Sequence, residues 1–316
     1  MNLDKINFPL DNYEKLIKDI SGLQLDEWIN FWDKKREILS DVSEHYGDNY
    51  RDDWLWGVIL PILSDIYSLK ESRQKRIVIG LSALPGTGKT TLGLLIEKLS
   101  LKMDIKATVV SMDDFYLPFS EMNIAIKDNP WNVSRGFPGS HSIYLIEERI
   151  TEWKNTGRFN YPVFDKSLRN GLGDRSYWKI DFPEIIILEG WFLGINPISS
   201  QRISKESVNP PLHIREIEYR SKIQKNINYY LKIWQLIEKI WQIMPKRFSY
   251  MDQWKSNQEY EMLKIKGNAL VDNQLTNFLR MLNCSIPQES FKDINSKYKI
   301  ILNKNREIIN VYLNNK

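Results

Sequence analysis

One cysteine, Cys284, in 316 residues has nothing to pair with inside the chain. An internal disulfide and a cysteine metal cluster are therefore both excluded, and a reducing compartment is the natural setting. Long apolar runs are missing as well, so no membrane-spanning helix is expected. The first residues include acids and no apolar stretch, which argues against a signal peptide. Charge of one sign is also scarce: 44 Lys and Arg against 40 Asp and Glu give a net +4, spread over mixed helices rather than gathered in one block. That is weak ground for nucleic acid. No internal repeat or low-complexity tract interrupts the chain. With 42% hydrophobic residues, enough for a sizeable core, the expectation is a globular cytoplasmic protein with neither nucleic acid nor membrane among its partners.

What is present centres on residues 77–91. The apolar run Ile77-Val78-Ile79-Gly80-Leu81-Ser82 stops at Ala83-Leu84-Pro85-Gly86-Thr87, and Gly88-Lys89-Thr90-Thr91 leads into the helical spacing Leu92, Leu95, Ile96, Leu99. Strand, glycine loop and helix in this order make a phosphate site. Loop N–H groups and the positive end of the helix hold a polyphosphate, Lys89 reaches the terminal phosphates, and the Thr90 hydroxyl binds Mg²⁺. Pro85, Gly86, Thr87, Gly88, Lys89, Thr90 and Thr91 are the expected nucleotide-binding residues. The first position of the motif calls for glycine and carries Ala83, which is tolerable where φ is negative.

Residues 1–76 read as a helical extension. Asp11 or Asn12 is the expected cap of a first helix bearing Tyr13, Leu16, Ile17 and Ile20, and Trp28, Phe31, Trp32, Trp54, Leu55, Val58, Ile59, Ile62 and Ile66 continue the stripes. Such faces most simply dock on the next domain.

Beyond the loop, residues 106–111 read as a second buried strand ending in Met112-Asp113-Asp114-Phe115-Tyr116. Ligands of parallel sheets gather at the carboxyl ends of strands, so Asp113 is the expected proton acceptor. Asp114 is a substrate candidate with an Asx-turn as its structural alternative. Residues 128–142 form a turn-rich loop ending at His141, which either lines the site or caps the helix from Ile143 to Gly157. Residues 161–175 read as an irregular basic loop, with Lys166, Arg169 and Arg175 suited to an anionic acceptor. The apolar Ile185-Ile186-Ile187-Leu188 ends in Glu189, the expected second metal ligand. Ile223, Ile227, Tyr230, Leu231, Trp234, Ile237 and Trp241 read as one amphipathic helix face, 247–250 as a short strand, and 254–259 as the start of a lid helix. Residues 299–302 and 308–312 read as a late pair of strands.

Together these stretches resemble the D-glycerate 3-kinase family, a branch of the P-loop small-molecule kinases related to uridine and pantothenate kinases. The resemblance covers roughly residues 77–280. Its specific pieces are Phe164-Asp165-Lys166-Ser167 with Gly171-Leu172-Gly173-Asp174-Arg175, and Leu188-Glu189-Gly190-Trp191-Phe192-Leu193-Gly194; Gly139-Ser140-His141, Trp254 and Gln258-Glu259 accompany them. Two departures are Ser142 and Lys255, where the family pattern has Asp and Arg. The resemblance implies an α/β, three-layer P-loop kinase fold over 77–316, with a parallel sheet flanked by helices and a lid near 252–266. It implies ATP and Mg²⁺, with D-glycerate or a similar anionic alcohol as the small-molecule partner. Lys89, Asp113 and Arg175 would be catalytic, Thr90 and Glu189 would hold the metal, and Asp114, Tyr116, His141, Lys166, Arg169 and Arg175 would bind the acceptor. Its rivals are a kinase for pantothenate or a nucleoside, and a non-catalytic nucleotide-binding regulator.

Overall fold

The computed structural model describes residues 10–46, 51–72, 76–198, 208–267 and 269–314. Of the polar segment before the first strand, residues 73–75 lie outside the described residues.

The chain begins with helices α1 (Leu10–Ser21), α2 (Leu25–Asp33) and α3 (Arg36–Tyr46), followed by α4 (Asp52–Trp54), a π turn over Leu55–Ile59 and α5 (Leu60–Glu71). Asp11 and Asn12 do not cap α1, because the helix is already under way at Leu10; Asn12 instead donates to Asn310 Oδ1 at 2.9 Å. Pro61 sits in the first turn of α5 and brings no N–H to the helix. The Tyr13 hydroxyl donates to Gly57 O, four residues before that proline, at 2.7 Å.

Then come β1 (Ile77–Ala83), α6 (Lys89–Leu101), β2 (Ala107–Ser111) with a 3₁₀ turn over Met112–Phe115, α7 (Phe119–Ala125) and α8 (Ile143–Thr156). They are followed by β3 (Phe159–Asp165), β4 (Asp174–Asp181), β5 (Ile185–Gly190), α9 (Ile214–Trp234) and β6 (Lys239–Pro245). The chain closes with α10 (Tyr250–Lys266), α11 (Asp272–Cys284), β7 (Tyr298–Leu302) and β8 (Ile308–Leu313). The sheet runs β2-β5-β1-β6-β7-β8; its first five strands are parallel and β8 returns antiparallel.

Alternate β1 residues feed two cores. Ile77, Ile79, Leu81 and Ala83 pack with Trp241, Tyr298 and Ile300 under α6 and the N-terminal helices, while Val78 joins Val110, Ile186, Leu188 and Ile240 under α8, α9 and α11. The architecture is the expected α/β three-layer one. The N-terminal helices are part of its first core: Tyr13, Trp28, Trp32 and Trp56 lie in the same apolar cluster as the strands.

Three local expectations differ. The face running to Trp241 is broken: the helix ends at Trp234, and Trp241 stands on β6, the missing central strand between β1 and β7. Burial on both sides removes strand alternation from Ile240-Trp241-Gln242-Ile243, so its pattern mimics a helix continued. Residues 161–175 are mostly the antiparallel β3–β4 hairpin, with a bulge at the Val163–Phe164 step, where Ser176 of β4 is the extra residue. Residues 247–250 are a turn into α10, with Tyr250 N–H donating to Arg247 O, not a strand. Among the described residues no helix is long and apolar enough to cross a membrane.

Candidate active site

The carboxyl ends of β1, β2 and β5 meet side by side. Register puts Ser111 of β2 and Leu81 of β1 on either side of Glu189, so the loops that follow these strands open into one cleft.

The glycine loop has the backbone that its sequence demands. Gly86 and Gly88 have φ of 76° and 101°, where a side chain would be strained. Ala83 is the last residue of β1 and is not among the positive-φ positions, so its methyl fits. Thr87 closes the turn, its hydroxyl donating to Leu84 O at 2.6 Å, and Lys89 Nζ reaches the same carbonyl at 3.3 Å. Thr90 and Thr91 are exposed on the first turn of α6. The loop is braced from outside: Arg306 donates to Gly86 O from Nε and Nη2 at 3.0 and 2.8 Å, and a Cβ on Gly86 would lie 2.7 Å from backbone atoms of Trp254 and Lys255.

Asp113 and Asp114 sit on the 3₁₀ turn after β2, and the two carboxylates diverge. Asp114 accepts from Ser111 N at 3.4 Å and from Phe164 N at 3.3 Å, which makes it a cap that ties β3 to the turn. Asp113 points into the cleft, where Oδ2 takes Lys166 Nζ at 2.7 Å and the carboxylate also holds the Tyr116 hydroxyl. Burial works to raise its pKa, but the Lys166 ammonium wins and holds it well below the usual carboxylate range. Ser111 uses its hydroxyl twice, accepting from Asp113 N at 3.2 Å and hydrogen-bonding Glu189. Burial pushes Glu189 up, against the pull of Lys89. Lys89 is lowered by burial, against the opposite pull of Glu189 and Asp113.

Lys89, Asp113, Lys166, Glu189 and Lys255 therefore form one interacting charge cluster. His141 adjoins it: its ring stacks on Tyr116 at 4.6 Å, Nδ1 lies 2.8 Å from the Tyr230 hydroxyl, and burial lowers its pKa to about 4. It does not cap α8, whose N-cap is Ser142. The arginines of the hairpin are not drawn into the cluster. Arg169 stands at the exposed tip, paired to Asp174 at 3.1 Å and lying over the Phe119 ring. Arg175 donates from Nε to Tyr116 O at 3.0 Å; the charges acting on it are Glu121 and Asp174, and its buried Nη2 has no hydrogen-bond partner among the described residues. The expected lid divides along its length: Met251, Trp254 and Glu259 are buried, with Lys255 bonded to Glu259, whereas Tyr260 and Leu263 are exposed.

Sequence reasoning missed Tyr230, Arg306 and Ser111. Tyr230 sat in an apolar helical stripe, and nothing there announces that its hydroxyl leaves the core. Arg306 lies in a turn more than two hundred residues from the loop it grips. Ser111 had a local signal, a small hydroxyl residue closing a strand before two acids.

No family model matches the chain. It is 29% identical over 216 residues to the chloroplastic D-glycerate 3-kinase of Arabidopsis thaliana, an alignment covering 64% of this chain but only 45% of the plant protein. The chain thus spans under half the length of that relative. The D-glycerate 3-kinase of Cryptococcus neoformans aligns over 80% of this chain and 96% of its own, at 26% identity and a TM-score of 0.69. The chain resembles the D-glycerate 3-kinases. Its fold is that of the P-loop kinases. The uncharacterized kinase mug58 of Schizosaccharomyces pombe is 24% identical over 246 residues, covering 74% of this chain and 87% of the yeast protein.

Proposed function

We propose that the chain is an ATP-dependent phosphotransferase with an alcohol as acceptor, and that the acceptor is D-glycerate, giving 3-phosphoglycerate and ADP. The observation that carries the reading is Asp113: an ionised carboxylate at a strand end, paired to Lys166 and standing in one charge cluster with the loop lysine Lys89. A nucleotide-binding regulator has no use for a proton acceptor there.

In this reading the loop amides from Gly86 to Lys89 cradle the β and γ phosphates, and Lys89 neutralises charge as the γ phosphoryl moves. The acceptor hydroxyl attacks phosphorus, the bond to the ADP oxygen breaks, and the hydroxyl proton passes to Asp113. Lys166 is bonded to the base and shares a charge cluster with Lys89, so it would move its charge from Asp113 to the transferring oxygens as Asp113 takes up the proton. Thr90 and Glu189 offer oxygen donors only, with Glu189 held by Ser111, a set that suits Mg²⁺. The ion would supply charge neutralisation on the β and γ phosphates. His141, Tyr116 and the unpartnered Nη2 of Arg175 surround the acceptor, and Arg169 meets only groups that reach the hairpin tip. Residues 77–316 act as the catalytic domain and residues 1–76 as a helical extension sharing its core, with 252–266 covering the phosphates. The buried Cys284 suits a cytoplasmic setting.

The test is ADP release from purified protein with Mg-ATP and, separately, D-glycerate, L-glycerate, pantothenate and uridine. D-glycerate should give the highest kcat/KM. Turnover with D-glycerate no higher than in the ATP-only blank sinks the assignment, and preference for pantothenate or uridine replaces the acceptor while keeping the chemistry.

A further inference from the structure

Tyr230 is read from sequence as one more apolar contact of a long helix, yet its hydroxyl meets two polar groups beside the cleft. The backbone N–H of Gly139 donates to its oxygen at 3.0 Å. The phenol is buried, so its proton needs an acceptor, and among the described residues the one its hydroxyl meets is Nδ1 of His141 at 2.8 Å. A neutral imidazole that accepts at Nδ1 carries its own proton at Nε2. That Nε2 is fully buried and has no hydrogen-bond partner among the described residues. A buried N–H without an acceptor costs about 1–3 kcal/mol, so a fold that forces the proton there calls for an acceptor atom from elsewhere. The ring is clamped by Tyr116 stacked on one side, with Phe192 and Tyr230 edge-on at 5.5 and 5.8 Å. The charged groups that face it are Asp113 and Lys166, the titratable hydroxyls Tyr116 and Tyr230.

We infer that Tyr230 is a positioning residue that locks His141 as the Nε2–H tautomer, so that this ring donates a hydrogen bond to a non-reacting oxygen of the acceptor held beside Asp113. The inference rests on the phosphotransferase reading for the identity of the acceptor, but not for the tautomer. A ring fixed as a neutral donor discriminates for an oxygen acceptor and adds no positive charge to compete with Lys166 for Asp113. Because burial and the Tyr230 proton both disfavour the imidazolium, the donor is unchanged through neutral pH.

The chain has three histidines, so ¹⁵N-histidine labelling resolves the ring directly. In the wild type, His141 should show the Nε2–H pattern, remain neutral down to about pH 5, and shift at Nε2–H on addition of D-glycerate. Tyr230→Phe should leave mixed tautomers, raise the His141 pKa and raise KM for D-glycerate about tenfold, with KM for ATP unchanged. His141→Gln, whose amide N–H reaches the Nε2 position, should retain more acceptor affinity than His141→Asn, which reaches only the Nδ1 position. An Nδ1–H pattern in the wild type overturns the inference whether or not any acceptor turns over. So does an Nε2–H signal unmoved by D-glycerate in protein that phosphorylates it, or a Tyr230→Phe enzyme with unchanged acceptor KM and pH profile. Absence of turnover with every acceptor fails the phosphotransferase reading instead and leaves the tautomer to be decided by the spectrum.

Discussion

Lys166 Nζ lies 2.7 Å from Asp113 Oδ2, joining the end of β3 to the turn after β2. The two partners shift each other: Lys166 is raised by the charge of Asp113, and Asp113 is lowered by the charge of Lys166 against the effect of burial. A base held this low is always ready and intrinsically weak, so the pair makes sense where lysine leaves the carboxylate as the proton arrives.

The pH profile follows from the sign of that shift. A carboxylate lowered below about 3.9 is ionised throughout the range from about pH 5 to about pH 8, so wild-type kcat/KM for the acceptor should show no acid limb from Asp113 there. In Lys166→Met the strongest pull against burial is gone, only weaker ones such as the Tyr116 hydroxyl remain, and the Asp113 pKa rises, so an acid limb should move up toward the measured range. Asp113→Asn should lower kcat by about 10² or more with little change in KM for ATP. Initial-rate profiles of the three proteins check this, and wild-type turnover in Asp113→Asn removes Asp113 as the base.

Gly86 and Gly88 should respond differently to alanine. Both have positive φ, so each pays backbone strain of about 1–3 kcal/mol. A Cβ on Gly88 meets nothing within 4 Å, whereas one on Gly86 lies 2.7 Å from the backbone of Trp254 and Lys255 and must displace α10 or the loop. Gly86→Ala should therefore lose more stability in urea than Gly88→Ala. It should also raise KM for ATP more steeply, and equal effects would show that the loop and α10 are not mutually braced.

How far sequence reached depended on how local each signal was. The phosphate loop, the acid turn after β2 and Glu189 are each fixed within about fifteen residues by strand, turn and helix chemistry, and all were legible. β6 was not: Trp241 fell at a helical interval from Trp234, and only its neighbours β1 and β7 reveal that Ile240-Trp241-Gln242-Ile243 is a buried strand. The fate of Asp114 was open for a related reason, since its partner Phe164 N lies fifty residues on, in a hairpin that reads in sequence as an irregular loop. Arg169 and Arg175 looked equivalent in sequence, and only the hairpin geometry sends one to the tip and the other to Tyr116.

Asp65 should matter for stability although it lies far from the cleft. It is 1% exposed, and its two oxygens take Lys239 Nζ at 2.7 Å and Trp241 Nε1 at 2.9 Å, pinning α5 to β6. Asp65→Ala leaves a mostly buried ammonium and an indole N–H unpaired, which should cost about 3 kcal/mol. Urea unfolding with unchanged midpoint would show that Lys239 finds water instead.

The N-terminal helices pose the last test, because the division at residue 76 and the shared core pull in opposite directions. A chain beginning at Ile77 would keep every residue of the proposed site. It would also strip the N-terminal helices from the core that they and α6 share with Ile79, Leu81, Trp241, Ile243 and Ile300. Uncovering even ten large side chains forfeits about 15–30 kcal/mol of burial, more than a domain's whole net stability. The shortened chain should therefore aggregate or bind a hydrophobic dye strongly, and should lose ATP binding along with its fold. If it instead stays monomeric with a cooperative urea transition and binds ATP, the first 76 residues are a detachable extension and the core they share is stable without them.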